Sequence, residues 1–312
     1  MNLFEFFIPL LLTFFILKNL LTFFRTYFPA IPTNRGMHQK IKANSGGIIF
    51  VLIYIFFSIY KSFYIPLISL PLSVIGLLDD KFNLSSKSRF IAQIITVIIT
   101  IIIINNFSNS FLNNFLEANF IYYIIFTFIG VAIINFINFM DGIDGLVCSS
   151  FIIILFFLNS SSNLIIPLIG SLVGFLKFNW QSSKIFMGDS GSLFLGSFFV
   201  GLLYSSNSSD DFIKILLLVT PLIIDPIITI IRRFLSGQNF LKPHKLHLYQ
   251  RLVSNGFSHS TVSIIYIGSI AILGIFYSLS NLLYLSIVSI IIIISGIFID
   301  INFAKKFNSD IN

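Results

Sequence analysis

Long apolar runs separated by short polar segments make up most of the chain. Eleven such runs lie at approximately 3–24, 46–60, 62–78, 90–104, 120–138, 146–158, 163–177, 191–206, 212–231, 260–278 and 282–300. A helix of about 20 apolar residues crosses a bilayer and satisfies its own backbone hydrogen bonds there. The pattern therefore predicts an all-α, polytopic bundle of about 10–11 transmembrane helices in one domain over residues 1–312.

The composition agrees with a chain embedded in a lipid bilayer. Hydrophobic residues make up 56% of the 312 residues and charged residues 10%, whereas a soluble domain carries about 25% charged residues. The first run contains Glu5 in place of a basic leader and is long enough to span, so we expect a membrane helix there and not a cleaved signal peptide. The single cysteine, Cys148, excludes an internal disulfide framework.

Positive charge is distributed unevenly between the loops. When alternate loops are assigned to the same side, all of the 19 Lys and Arg residues except Lys18, Lys61 and Lys214 fall on one side. The positive-inside rule makes this the cytoplasmic side, which predicts a multi-pass membrane protein whose candidate active-site loops are cytoplasmic. The same rule accounts for the net charge of +7, so we expect no nucleic-acid partner.

Six carboxylates lie at or near the cytoplasmic ends of the runs: Asp79, Asp80, Asp141, Asp144, Asp189 and Asp225. An acidic residue at the bilayer centre costs about 2.5–3.5 kcal/mol, and a whole domain is stable by only about 5–15 kcal/mol. We therefore expect these carboxylates to face a wet cavity and to meet cations there. For any one of them, a structural salt bridge is the alternative.

Two polar clusters among these residues offer oxygen ligands. Asp79 and Asp80 end one apolar run, and on a continuous helix Asp79 would share a face with Asn83. A second cluster recurs every three residues and predicts a polar stripe on one helix face: Asn135, Asn138, Asp141 and Asp144. Such oxygens suit Mg²⁺, with Mn²⁺ as the second choice, although asparagines also serve as polar contacts between helices.

The segment Met187-Gly-Asp-Ser-Gly-Ser places Asp189 between two apolar runs. A helix that starts near Ser190 would direct its N-terminal amides at an anion, and the glycines would permit close backbone approach. Together these features predict a metal–phosphate site at a membrane surface. Nearby, Trp180 offers a face for a nucleobase or, alternatively, an anchor at the lipid interface.

Two basic segments complete the candidate chemistry. The loop 242–251 contains His244, Lys245, His247 and Arg251, a composition typical of an anion-binding loop. Zinc is the alternative for its HxxH spacing, but no cysteine lies nearby. Arg35 and His38 lead into Gly46-Gly47, a helix start that would also suit phosphate.

Five motifs occur in order within residues 32–252: LLDDKFNLSSKSR, NFINFMDGIDGL, FLKFNW, IFMGDSGS and PHKLHLYQRL. Together they resemble the polyprenyl-phosphate N-acetylhexosamine-1-phosphate transferase superfamily (glycosyltransferase family 4), which includes the MraY and WecA types. The resemblance implies a Mg²⁺-dependent enzyme that transfers N-acetylhexosamine-1-phosphate from a UDP-sugar to undecaprenyl or another polyprenyl phosphate and releases UMP. This would be the first membrane step in the synthesis of a surface glycan such as O-antigen or a cell-wall polymer.

The resemblance also implies a role for each matching residue. Asp189 would bind the metal ion with Asn138 beside it, and Asp79, Asp80 and Arg89 would complete the catalytic group. The residues matching the uridine site are Asn179, Asp141 and Phe186, and those matching the diphosphate and sugar site are His244, Lys245, His247 and Arg251. Asn83, where many members have Asp, and Asp144 complete the predicted substrate-binding set.

Other functions remain open from the sequence. A transporter or flippase for a lipid-linked sugar would also carry charges in its membrane helices, although near the midplane. A phospho-N-acetylmuramoyl-pentapeptide transferase is a second alternative, but the loop 242–251 lacks the His-rich tract of those enzymes, which favours the branch that initiates O-antigen. A CDP-alcohol phosphotransferase would need Ala-Arg after Asp-Gly, which is missing. A homodimer is left open.

Overall fold

The structure is a computed structural model that describes residues 3–32, 37, 40–107, 110–159, 164–238 and 244–307. Its helices are α1 (Leu3–Tyr27), α2 (Gly47–Tyr60), α3 (Ile65–Phe82), α4 (Ser86–Phe107), α5 (Leu112–Ala118), α6 (Ile121–Met140), α7 (Leu146–Leu158), α8 (Ile166–Asn179), α9 (Gly188–Tyr204), α10 (Ser209–Leu218), α11 (Thr220–Leu235), α12 (Leu248–Ser254), α13 (His259–Ser278) and α14 (Leu282–Phe303). Each predicted apolar run contains a helix, and the short α5 and α12 lie outside the runs.

Five of the described helices are individually long and apolar enough to cross a membrane, namely α1, α4, α6, α13 and α14. The prediction of a polytopic helical membrane protein is therefore confirmed. The count of eleven spans stays a prediction, because helices such as α2, α7 and α8 are shorter.

The run 212–231, predicted as one span, is broken into α10 and α11, which meet at 76°. Pro221 in the first turn of α11 explains the break. A proline ring clashes with the carbonyl one turn earlier and supplies no amide hydrogen, so α10 cannot continue through it.

The helix α9 forms the centre of the bundle. Nearly all of its residues from Ser190 to Tyr204 are buried, and it packs against α2, α3, α4 and α6. Its Gly and Ser residues suit this position, because small side chains let helices approach each other closely inside a membrane bundle. By contrast, α1 and α14 expose large side chains such as Phe4 and Ile294 to the surrounding lipid.

Helices in a bilayer gain little from burying apolar surface, because lipid chains are equally apolar. Their association relies on close packing, which small residues allow. On α8, Gly170 and Gly174 lie one turn apart against the backbone of α1, and a Cβ at either position would lie 2.2–2.4 Å from a carbonyl oxygen. On α3, a Cβ at Gly76 would lie 2.4 Å from the carbonyl carbon of Asp189. This last crossing brings the acidic end of α3 against the start of α9.

A small antiparallel sheet, not predicted from the sequence, joins β1 (Pro29–Ala30) to β2 (Lys42–Ala43). Beyond it, the Gly46 and Gly47 amides donate to the carbonyls of Phe186 and Met187, both at 3.0 Å. The prediction that this helix start binds phosphate is therefore wrong, because its first amides are already bonded to backbone. Arg35 and His38 lie outside the described residues.

The α3–α9 crossing leads to a first prediction. Gly76→Ala should lower the unfolding temperature in detergent, because overpacking a close contact costs about 1–3 kcal/mol. The matched control is Gly268→Ala on α13, where an added Cβ meets no atom within 4 Å among the described residues. Equal unfolding temperatures for the two variants would contradict the close crossing.

Candidate active site

A cavity of about 250 Å³ opens at the end of the bundle where α3 and α6 finish and α9 begins. Five of the predicted site residues line it: Asp80, Asp141, Asn179, Phe186 and Asp189. These residues are far apart in the sequence, and the helix ends bring them together. Of the six carboxylates predicted to face one cavity, three line it, namely Asp80, Asp141 and Asp189, whereas Asp79, Asp144 and Asp225 do not.

Asp80 is the residue that joins α3 to α9. Its carboxylate accepts hydrogen bonds from the Asp189 amide at 3.0 Å and the Ser190 amide at 3.4 Å. The Ser45 hydroxyl at 2.8 Å and the Asn44 amide group at 3.1 Å donate to the same carboxylate. The α9 amides predicted to face a substrate anion are thus capped by a protein carboxylate.

Gly188 makes this cap sterically feasible. It has a φ of +72°, in the region that favours glycine, and α9 starts there, two residues before the predicted position. A Cβ at Gly188 would lie 2.3 Å from an Asp80 carboxylate oxygen. The glycine therefore permits both the turn and the approach of the carboxylate.

Arg89 bridges two carboxylates at the cavity. Its Nη1 lies 2.7 Å from Asp79 Oδ2 and 3.0 Å from Asp189 Oδ2. The guanidinium is about one-third exposed, so it is also accessible from outside the protein. The expected pairing of the acidic pair with Arg89 is therefore present for Asp79, whereas Asp80 is used to cap α9.

Asn138 holds the second oxygen of Asp189. Its Nδ2 donates to Asp189 Oδ1 at 2.9 Å and to the Ser192 hydroxyl at 2.8 Å. Asp189 and Asn138, the two residues predicted to bind the metal ion, are thus in direct contact at the start of α9. In the described part of the chain, no group of three His, Cys, Asp or Glu side chains could hold a metal ion. A site here would offer few protein ligands, which is the arrangement Mg²⁺ commonly uses together with substrate phosphates.

Negative charge is in excess at this end of the bundle. Arg89 pairs with Asp79 and Asp189, while Asp80 and Asp141 also line the cavity region. Burial, followed by the charges of Asp189 and Asp80, raises the pKa of Asp141 to about 8. A divalent cation would offset this repulsion, so the donor set fits Mg²⁺ in both chemistry and charge.

Aromatic and amide groups line another part of the cavity. The buried Asn179 donates through Nδ2 to the Ile185 carbonyl at 3.0 Å, which fixes the orientation of its side chain. The Lys42 ammonium lies 4.9 Å from the centre of the Phe186 ring. Trp180 is not part of this wall, because its ring lies against Gly145. Phe186 is therefore the aromatic face that a nucleobase could meet.

The predicted polar stripe does not continue to Asp144. The helix α6 ends at Met140, and the following turn directs Asp144 away from the cavity. The Asp144 carboxylate is buried and accepts bonds from the Ser183 hydroxyl at 2.7 Å and amide at 3.1 Å, with the Lys42 ammonium at 3.3 Å. Burial alone would raise the pKa of Asp144, but His259, Ser183 and Lys42 together hold that pKa below its usual value.

Two further asparagines have local roles. Asn135 exchanges hydrogen bonds with Gln93 at 2.8 and 3.2 Å, so it joins α6 to α4 as a polar contact between helices. Asn83 is exposed and caps α3 with a φ of 51°, its amide donating to the Asp79 carbonyl. The prediction that Asn83 shares a helical face with Asp79 is wrong, because α3 ends at Phe82.

The loop predicted to meet the diphosphate and sugar leads into α12. His247 is buried against the Tyr249 ring, with 5.8 Å between ring centres. His244 and Lys245 are half-buried, and burial lowers the pKa of His244 to about 3, so its ring is neutral. Residues 242 and 243 of this loop lie outside the described part.

Arg251 is buried and makes its bonds within the protein. Its Nε donates to the Leu246 carbonyl at 3.1 Å, its Nη1 to the Lys305 carbonyl at 2.8 Å, and its Nη2 to Asp300. It does not line the cavity, and neither do His244, Lys245 and His247. The residue of this loop that reaches the cavity is Gln250, which was not predicted.

The α12 start is held by Asp225, which was expected to face the cavity. Its buried carboxylate accepts from the Leu248 amide at 2.8 Å and from the Tyr266 hydroxyl at 2.7 Å. A buried carboxylate with several donors is a structural anchor. Asp225 thus has a structural role: backbone and hydroxyl groups donate to its carboxylate, and the His247 ring nitrogen lies 3.7 Å away.

Comparison with known proteins agrees with this arrangement. The sequence profile of glycosyl transferase family 4 matches residues 62–207. The chain is 34% identical over 274 residues to the probable undecaprenyl-phosphate N-acetylglucosaminyl 1-phosphate transferase of Bacillus subtilis, covering 80% of this chain and 75% of that protein. The chain belongs to glycosyl transferase family 4.

Two further relatives of this family member carry related names. The undecaprenyl-phosphate alpha-N-acetylglucosaminyl 1-phosphate transferase of Thermotoga maritima is 29% identical, over 59% of this chain and 60% of its own length. The phospho-N-acetylmuramoyl-pentapeptide-transferase of Dictyoglomus turgidum is 34% identical, over 50% of this chain and 57% of its own length. The family match includes the α3, α6 and α9 ends that form the cavity.

A sequence signal for Gln250 does exist in this glycosyl transferase. His247 precedes α12, and its amide donates to the Gln250 side-chain oxygen at 3.3 Å, as in a capping box with Gln at the third helical position. This pattern predicts the helix start and fixes the amide of Gln250. It does not reveal that this first turn of α12 lies beside the cavity.

The capping role of Asp80 leads to a second prediction. Asp80→Asn should lower the unfolding temperature more than Asp79→Asn, because an amide group cannot accept from all four donors and each unsatisfied buried donor costs about 1–3 kcal/mol. Asp79→Asn leaves the α9 cap in place and is the matched control. Thermal unfolding in detergent measures both, and an equal or reversed order would contradict the cap.

Proposed function

We propose that the chain transfers N-acetylhexosamine-1-phosphate from a UDP-sugar to a polyprenyl phosphate and releases UMP. N-acetylglucosamine is the first sugar to test, because the Bacillus and Thermotoga relatives carry that sugar in their names. The observation that carries the proposal is the meeting of Asp189, Asn138 and Arg89 beside a cavity that also contains Asp141 and Phe186.

The reaction brings two anions into contact. An oxygen of the lipid phosphate attacks the β-phosphorus of the donor, the bond from that phosphorus to the bridging oxygen breaks, and UMP leaves with the electron pair. Mg²⁺ held by Asp189 and Asn138 would offset the charge of the phosphates and of the leaving group. Arg89 supplies a fixed positive charge beside the same carboxylate.

The hydrogen bonds favour direct transfer over a covalent intermediate. The Asp80 carboxylate is occupied by four donors, so its oxygens are poor nucleophiles. Asp79 is paired with Arg89, and it is the carboxylate we assign to hold Arg89 in place or to accept a proton from the lipid phosphate. In-line attack by the lipid phosphate needs no protein nucleophile.

We assign the uridine to the wall formed by Phe186, Asn179 and Asp141. An aromatic ring can stack on the base, and fixed amide and carboxyl groups can bond its polar edge. Lys42 lies close to the Phe186 ring and is itself held by Asp144, so this side of the cavity is supported from behind. Asp144 would thus support the donor site without contacting the donor.

We place the cavity on the cytoplasmic side of a bacterial inner membrane. Lys42 and Arg89 lie near the cavity, together with the basic loops of the same side. Lys61 instead pairs with Glu5 at 2.7 Å, which joins the start of α1 to the end of α2. These two helix ends belong to the opposite side of the predicted topology.

A transporter is not favoured for this chain. The carboxylates of the cavity lie at helix ends, with Asp79 and Asp80 at the end of α3, Asp141 after α6 and Asp189 in the first turn of α9. A carrier site would lie near the bilayer midplane at the interface of repeated halves.

The central experiment measures UMP release by purified protein in detergent, with UDP-N-acetylglucosamine, undecaprenyl phosphate and Mg²⁺. Asp189→Asn should abolish turnover while the protein remains folded, because the metal ligand and the partner of Arg89 are lost together. Lys61→Ala, at the opposite side, is the control and should retain activity. Near-normal turnover of Asp189→Asn at saturating Mg²⁺ would refute the metal assignment.

A second experiment tests the uridine wall. Phe186→Ala should raise the KM for the UDP-sugar by roughly tenfold, since stacking on an aromatic ring contributes about 1–3 kcal/mol per base. Phe186→Tyr keeps the ring and should remain close to the wild type. A change in the KM for undecaprenyl phosphate instead of the donor would assign this wall to the acceptor.

A further inference from the structure

The seven-residue helix α12 carries Gln250 to the cavity and is too short to be stable by itself. Behind it, a second cavity of about 310 Å³ lies between α11, α13 and α14 and reaches Leu248 and Arg251. The side of α12 that faces away from the active site is therefore incompletely packed by apolar side chains. Tyr249 and Leu252 anchor α12 in the core, and polar contacts provide further support.

Asp300, in the last turn of α14, provides the strongest of these contacts. Its buried carboxylate pairs with Arg251 of α12 and with Arg232 near the end of α11. The other Arg251 nitrogens donate to the carbonyls of Leu246 and Lys305. Each of the three guanidinium nitrogens therefore donates to a group inside the protein, and Arg251 does not line the active-site cavity.

The segment after α14 closes over the same helix. The Lys305 amide donates to the Arg251 carbonyl at 3.3 Å, and Asn255 Nδ2 donates to the Phe303 carbonyl at 2.9 Å. The Phe307 ring lies 5.5 Å from the Arg251 guanidinium carbon and 5.6 Å from that of Arg232. Together these contacts form a clasp, made of Asp300, Arg232, Lys305 and Phe307, that holds α12 between α11 and α14.

Gln250 directly precedes Arg251, so the clasp acts one residue away from the cavity wall. At the start of α12, Asp225 holds the Leu248 amide. The helix is thus held at its start by Asp225 and at its middle by Asp300, two buried carboxylates on different helices. A shift at either point would move Gln250 relative to Asn179 and Phe186, which line the same cavity.

We propose that Asp300 is a positioning residue for the transfer reaction. It acts through Arg251 to hold α12, and thereby keeps Gln250 at the donor side of the cavity. Arg251 belongs to this support and does not bind the diphosphate directly. The assignment of an effect on the donor rests on the proposed function, whereas the effect on α12 does not.

The test is Asp300→Asn, which keeps the side-chain size and removes the charge that both arginines share. Amide hydrogen exchange over residues 248–254 should become faster. The KM for UDP-N-acetylglucosamine should rise by up to roughly 100-fold, because a displacement of about 1 Å caused by a distant substitution can cost that much, with little change in the KM for undecaprenyl phosphate. Asp300→Glu restores the charge and should recover part of both effects.

The matched control is Glu5→Gln, which breaks a partly buried ion pair at the other end of the bundle. It should leave exchange in α12 and donor KM unchanged. Because Asp300 acts through Arg251, adding Asp300→Asn to an Arg251→Gln protein should change the donor KM by less than Asp300→Asn alone.

Each outcome decides a separate point. The proposal would be overturned if Asp300→Asn left amide exchange in α12 unchanged. It would also be overturned if the donor KM of Asp300→Asn stayed the same or fell. A lower KM would mean that Arg251, once released from Asp300, binds the donor. If the wild type releases no UMP with any UDP-sugar, the proposed function fails. The exchange measurement still decides in that case whether Asp300 holds α12.

Discussion

The contact between the Asp80 carboxylate and the start of α9 organises the functional end of this protein. It links the end of α3 to the first amides of the central helix, and Asn44 and Ser45 join the same carboxylate from the segment before α2. An uncapped helix start inside a membrane protein would leave amides unsatisfied at high energetic cost. Once this cap forms, Asp189 is placed beside Arg89 and Asn138, and the cavity follows from it.

The two adjacent carboxylates at the end of α3 therefore have different tasks. Asp79 is buried and keeps an ion pair with a partly exposed arginine that also contacts Asp189. Asp80 accepts hydrogen bonds from several donors and joins α3 to the start of α9. Adjacent residues on a helix point about 100° apart, so an acidic pair can serve chemistry and architecture at once.

Much of this arrangement was predictable because membrane helices and clusters of carboxylates and amides leave strong local signals. The apolar runs predicted the helices, and the motifs around Asp189, Asn138 and Phe186 predicted residues that line or adjoin one cavity. The failures have a common cause. Whether Asp144 or Arg251 faces the substrate depends on how turns and distant helices are arranged, and a partner such as Asp300 cannot be read from the local sequence.

The clasp around α12 also has a consequence for biosynthesis. The residues of α3, α6 and α9 that surround Asp189 emerge from the ribosome well before Asp300 and the segment that follows it. A nascent chain can therefore assemble its acidic centre while α12 is still unsupported. In this arrangement α12 gains its support only after α14 has been inserted, so the cavity wall at Gln250 would form later than the acidic centre.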